Sequence, residues 1–171
     1  HLLVQHQISP VYLKLQTTTL VKEETERLNQ LISAIRNIMY AAKNIRDTQH
    51  DILQISNSSN DIKYSFYTLS RGKLLNFYQR IQLLLDKEKG TSHFEELIAV
   101  YESITKGYSE TLQSLYKESL ARDVSEQEIS TLINFNRELY TSFKSILFGL
   151  KDYLLSSKEA DYFDALPGFI R

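Results

Sequence analysis

Leu28-Asn29-Gln30-Leu31-Ile32-Ser33-Ala34-Ile35-Arg36-Asn37-Ile38 opens a run in which Leu28, Leu31, Ile35, Ile38, Ala42, Ile45 and Ile52 recur at steps of three and four. Those steps place all seven on one side of an α-helix, with Gln49 the one polar interruption. The pattern predicts a single helix over residues 22–55, about 50 Å long at 1.5 Å per residue. An apolar seam of that length is stable only when another element lies lengthwise along it. Working outward, Ser56-Asn57-Ser58-Ser59-Asn60-Asp61 gathers residues that cap helices and close turns, which predicts the first reversal of the chain.

A second helix is expected over 61–88, with Phe66, Leu69, Leu74, Phe77, Ile81 and Leu84 toward the core and a register slip that predicts a kink at Gly72. Lys89-Gly90 ends it. Ser92 and Glu95 then have the spacing of a capping box. The third helix repeats Phe94, Tyr101, Tyr108 and Leu115 every seven residues, filled in by Leu97, Ile104 and Leu112, to about Ala121. Ser125 and Glu128 repeat the capping signal before a fourth helix whose seam is Ile129, Leu132, Leu139, Phe143, Ile146, Leu150 and Leu154. Residues 1–17 are compatible with a helix capped at Ser9, with Pro10 in its first turn. Alternation at Val11, Leu13 and Leu15 also allows a strand, but no second strand is expected to pair with it. Residues 157–171 form a C-terminal tail whose last part, 162–171, is too apolar to float freely and is expected to fold back or dock on a partner. The fold class is therefore all-α: an antiparallel bundle of long helices forming one domain over 1–171.

Composition narrows the function classes. The chain has 171 residues, 42% of them hydrophobic, enough for a packed core. Only 5 Gly and 2 Pro interrupt it, consistent with long rods. With 20 Lys and Arg against 21 Asp and Glu, no bulk charge pulls it onto nucleic acid or anionic lipid, so no nucleic-acid partner is expected. The absence of Cys removes disulfides, thiolate metal sites and thiol nucleophiles, and suits a reducing compartment. Apolar stretches such as Ile146–Leu150 are far shorter than the roughly 18 residues a membrane span needs, so no direct membrane insertion is expected. His1-Leu2-Leu3-Val4-Gln5 shows neither an initiator Met nor a signal peptide, which leads us to expect a fragment of a longer protein.

The first and fourth helices match at an offset of 101 residues. Leu31, Ile32, Arg36, Lys43, Ile45, Asp51 and Leu53 meet Leu132, Ile133, Arg137, Lys144, Ile146, Asp152 and Leu154. Apolar matches follow from any shared seam; the polar ones carry the suggestion of an internal helical repeat. They define two basic rows at seven-residue spacing: Arg36, Lys43 and His50, and Arg137, Lys144 and Lys151. Arg36, Lys43, Arg137, Lys144 and Lys151 are candidate contacts for an acidic partner or an anion, though such rows more often pair with neighbouring carboxylates.

Leu28-Asn29-Gln30-Leu31-Ile32, followed by Ala41-Ala42-Lys43-Asn44-Ile45-Arg46-Asp47-Thr48-Gln49-His50-Asp51-Ile52, resembles the central helix of PhoU-type domains. Their pattern is an Arg-Leu-Asn-x-Leu-Leu lead-in followed by Leu-Glu-Arg-Ile-Gly-Asp-His-Ala. Asn136-Arg137-Glu138-Leu139, Leu150-Lys151-Asp152-Tyr153-Leu154 and the closing Asp164-Ala165-Leu166-Pro167-Gly168-Phe169-Ile170-Arg171 resemble the C-terminal region of bacterial sodium/phosphate cotransporter-family proteins. The resemblance covers about 12–171. It implies a PhoU-like regulatory domain on the cytoplasmic side of the inner membrane, modulating phosphate entry by contacts with the transmembrane transporter portion of the same protein or, as a homodimer, with a second copy.

The resemblance also implies a metal-binding acidic pair four residues apart. Those positions here hold Lys43 and Asp47, and in the second copy Lys144 and Phe148, so the family's ligand set is incomplete. Asp47, His50 and Asp51 remain candidate metal ligands by helical spacing, opposed by the adjacent Lys43 and Arg46. No Glu-x-x-His pairs, nucleophile elbow or Gly-rich phosphate loop occurs, so neither catalysis nor a cofactor is expected. Two other readings compete with the transporter role: a structural helical adaptor unrelated to phosphate, and a metal-binding PhoU-type bundle.

Overall fold

The computed structural model describes residues 10, 13–14, 20–86, 93–121 and 125–166. Among them lie six helices and no strand: α1 Lys22–Asp47, α2 Gln49–Ser56, α3 Asp61–Leu85, α4 Phe94–Ala121, α5 Glu126–Leu154 and α6 Ser157–Asp164. The protein is an all-α helical bundle. None of these helices is long and apolar enough to cross a membrane. Of residues 1–17, only Pro10, Leu13 and Lys14 are described, each in helical conformation. Lys89-Gly90, Ser92 and Pro167–Arg171 lie outside the described residues.

Helix α5 is the hub and touches each of the other five. Thirteen of its residues are buried, from Ile129 to Asp152, whereas α1 buries only Ala34 and Ala41. Direction follows from paired positions. Arg27 of α1 meets Tyr153, and Ala41 meets Ser142; α4 places Thr105 against Tyr140 and Tyr108 against Asn136. Both run antiparallel to α5. By contrast Phe66 packs edge-on against Phe135, and Phe77 stacks on Phe143 at 4.2 Å, so α3 runs parallel to α5. The long rods thus alternate up and down, as short connections require.

The expected helix over 22–55 is broken. Thr48 sits between α1 and α2, 3% exposed, with φ −94° and ψ 5°. Its hydroxyl donates to the Ile45 carbonyl at 2.9 Å, the kind of side-chain bond to the preceding turn that bends helices. The expected seam of α1 holds only in part. Ile45 packs against the core, but Ile38 is 43% exposed and Ala42 is exposed, and the buried residues of α1 are Ala34 and Ala41. Ser142 Oγ donates to the Ala41 carbonyl at 3.1 Å. A Cβ added at Gly149 would lie 3.0 Å from the Ala34 carbonyl oxygen and 2.9 Å from Ile38 Cδ1. Small residues at the crossing let the backbones approach, and the larger aliphatic side chains flank it.

In α3 the helix runs through Gly72 without interruption. The slip is absorbed by burying Ser70 and leaving Leu69 outside the core, 48% exposed. The seams of α4 and α5 lie as expected, centred on Leu97, Tyr101, Leu115, Leu132, Leu139, Phe143, Ile146 and Leu150. Part of the tail does fold back: Phe163 is fully buried against Phe94 and Tyr101.

Caps fix the helix starts. Asn60 Oδ1 accepts from the Ile62 and Lys63 amides. The Ser125–Glu128 box forms as expected, and a second at Ser156–Glu159 opens α6. Hydrogen bonds from Lys63 and Ser125 hold the Glu128 carboxyl below its ordinary value of 4.5, and bonds from Ser156 do the same for Glu159. Because the folded-state values are depressed, this stabilisation is fully present above pH 4.5 and is lost as pH falls through them. The melting temperature is expected to drop as pH is lowered below 4.5, and Glu128→Gln with Glu159→Gln should make the drop shallower. An identical pH profile in the double variant would assign acid sensitivity to other carboxylates.

Candidate functional site

The first basic row faces solvent. Arg36 and Lys43 of α1 and His50 of α2 are exposed, and none of them has a hydrogen bond or ion pair among the described residues. Tyr40, 53% exposed, lies between Arg36 and Lys43 on the same face. Among the described residues nothing covers this side, because among the described helices α1 packs only on α5 and on its own continuation α2.

The second row is divided by its environment. Arg137 is exposed and paired with Glu138 at 3.2 Å. Lys144 is half-buried, its ammonium 5.6 Å from the Phe148 ring centroid. Lys151 is 5% exposed, bonded to Asp164 at 2.7 Å and to Asp152 at 3.2 Å. The expectation that Lys151 meets a partner is therefore corrected. The end of α6 closes over it, and its charge is matched inside the fold. The two helices related by the 101-residue offset lie against one another, one as hub and one at the periphery, so matching residues acquire different roles.

The metal candidates do not converge. Asp47 accepts from Arg46 at 3.2 Å, His50 is exposed, Asp51 is half-buried, and the break at Thr48 falls among them. Among the described residues no group of three His, Asp or Glu is placed to hold a metal.

Two features were not anticipated from sequence. Arg27 caps the C-terminal end of α5, donating to the Tyr153 carbonyl at 2.8 Å and the Asp152 carbonyl at 3.4 Å, where a cation also complements the helix dipole. The other is a cleft of about 910 Å³ between α3, α4 and α5. Its floor includes Phe77, Leu139 and Phe143, and Gly72 and Gly107 lie on its walls. Lys73 enters from α3 and donates to the Gly107 carbonyl at 2.6 Å and to the Thr111 hydroxyl. Burial lowers the proton affinity of this ammonium, while Glu110 acts in the opposite sense. Beside the cleft, Tyr108 and Tyr140 stack at 4.7 Å, and Tyr140 bonds Thr105 at 3.3 Å. Burial, with Tyr140 as neighbour, raises the Tyr101 phenol. These tyrosines pack in the bundle, and the hydroxyls of Tyr101 and Tyr140 are hydrogen-bonded. The sequence signal for the cleft was Gly72-Lys73 opposite Gly107, two glycines inside helices.

No protein-family model, curated protein or solved structure matches this chain.

Proposed function

We propose that the chain is a non-enzymatic, PhoU-like interaction domain that regulates a sodium/phosphate cotransporter-family protein by docking on its transmembrane portion. The observation that supports an interaction role is the outer side of α1, which no described residue covers and where Arg36, Tyr40 and Lys43 are exposed together and the two cations have no partner among the described residues. Exposed cations flanking an aromatic suit an acidic loop, since a tyrosine adds contact area at small entropic cost. The phosphate-transport part rests on the sequence resemblance.

The test is sodium-dependent phosphate uptake by cells producing the full-length gene product, with and without Arg36→Glu and Lys43→Glu. Both sites are exposed, so the double variant should retain its stability to within about 0.5 kcal/mol. Altered uptake with an unchanged melting temperature supports the reading. Uptake identical to the parent, or no sodium-dependent phosphate uptake from the parent, removes it. A change in sedimentation of the purified chain on the same substitutions would direct the surface to a second copy.

A further inference from the structure

The cleft between α3 and α4 combines three properties that are independent of the transporter reading. It stands open: a Cβ at Gly72 would meet nothing within 4 Å, and one at Gly107 would meet only the end of the Lys73 side chain, at 3.6 Å. Its floor is apolar, with buried Phe77, Val100, Leu139 and Phe143 along it. It also carries two cations that, among the described residues, are bonded to no carboxylate. Lys73 donates to the neutral oxygens of Gly107 and Thr111, with Glu110 near enough to act on it only through space, and Arg80, half-buried, makes no hydrogen bond or ion pair among the described residues. Lys106 pairs at the outer edge with Glu110, the one carboxylate on the lining among the described residues, which leaves that lining with an excess of positive charge.

A half-desolvated ammonium in such a place is stabilised by an incoming anion more than a surface lysine would be, because the local dielectric is lower. Lys73 and Arg80 are seven residues apart on α3, about 10 Å along the axis and on the same side. A headgroup over the turn between them is within reach of both side chains. The cleft volume is in the range of small-molecule sites, about 300–1,000 Å³. We propose that this cleft binds a small amphipathic anion, its single charged headgroup between Lys73 and Arg80 and its apolar body over Phe77, Leu139 and Phe143.

Calorimetric titration of the whole chain with laurate below its micellar concentration tests this, with dodecyltrimethylammonium as the charge-reversed control. Laurate is expected to bind one to one, and the cation not to bind in the cleft. Lys73→Met and Arg80→Gln should each weaken laurate at least about tenfold, as loss of a charge-assisted hydrogen bond does. Gly72→Leu supplies a test that leaves the charges in place. Space is open at that position, so the variant folds, and the new side chain occupies the cleft and should abolish binding. Titration with phosphatidylglycerol vesicles identifies the source of the headgroup. Vesicle binding that requires Lys73 points to a lipid, and its absence points to a free anion; both keep the anion site. No laurate binding, equal binding of the cation, or affinity unchanged by Lys73→Met and Gly72→Leu overturns the proposal.

Discussion

Lys151→Ala is expected to lower stability by about 3 kcal/mol, toward the smaller end for breaking a buried pair, and to loosen α6. Lys151 is bonded to Asp152 and Asp164, and the two carboxylates differ in what the loss does to them. The Asp164 side chain is 52% exposed and can recover solvation, whereas that of Asp152 is 11% exposed. Asp152 would keep one polar partner, Asn37 at 3.2 Å, and lose its counter-charge. For a chain of this size the shift in melting temperature is about 6–12 °C. Lys151→Met with Asp152→Asn should restore most of the loss, because replacing both members of a buried pair is often close to neutral. Thermal melts of the parent and the two variants check this. If Lys151→Ala melts with the parent, the pair is not buried in solution and the second basic row is open to partners after all.

Gly149→Leu is expected to lift α1 from the hub. Overpacking a core costs about 1–3 kcal/mol, and the upper value applies here because one of the two groups in the way is the Ala34 carbonyl, which cannot rotate aside. Ile38, the other, can yield at its exposed edge. Gly149→Ala should cost about 1 kcal/mol or less, since its gain in helix propensity, also about 1 kcal/mol, offsets much of the overlap. Hydrogen exchange locates the effect: amides of α1 should lose protection in Gly149→Leu while those of α4 keep theirs. Uniform loss would mean that α1 and the remaining bundle unfold as one unit.

Helices, their inward sides and their caps were legible in the sequence because they depend on residues three or four apart. Leu132, Leu139, Phe143, Ile146 and Leu150 declared the seam of α5, and Ser125 with Glu128 declared its start. The same local logic failed at three places. It drew one helix through Thr48, whose burial and bond to Ile45 set the break. It left Ala34 and Ala41 out of the first seam, although they are the buried residues of α1, and counted Ile38, which is 43% exposed. It gave Lys151 and Lys43 the same role, although one is buried beneath the end of α6 and the other is exposed.

By itself, the sequence determined that this protein is a set of amphipathic rods, since periodicity and capping are properties of a single helix. Tertiary structure alone decided that α5 is the hub, that Lys151 is matched by Asp152 and Asp164, and that Lys73 and Arg80 flank an open cleft. Which rod lies at the centre depends on how closely two backbones can approach, here at Ala34 and Gly149, 115 residues apart in the chain. No pattern within either helix records that distance.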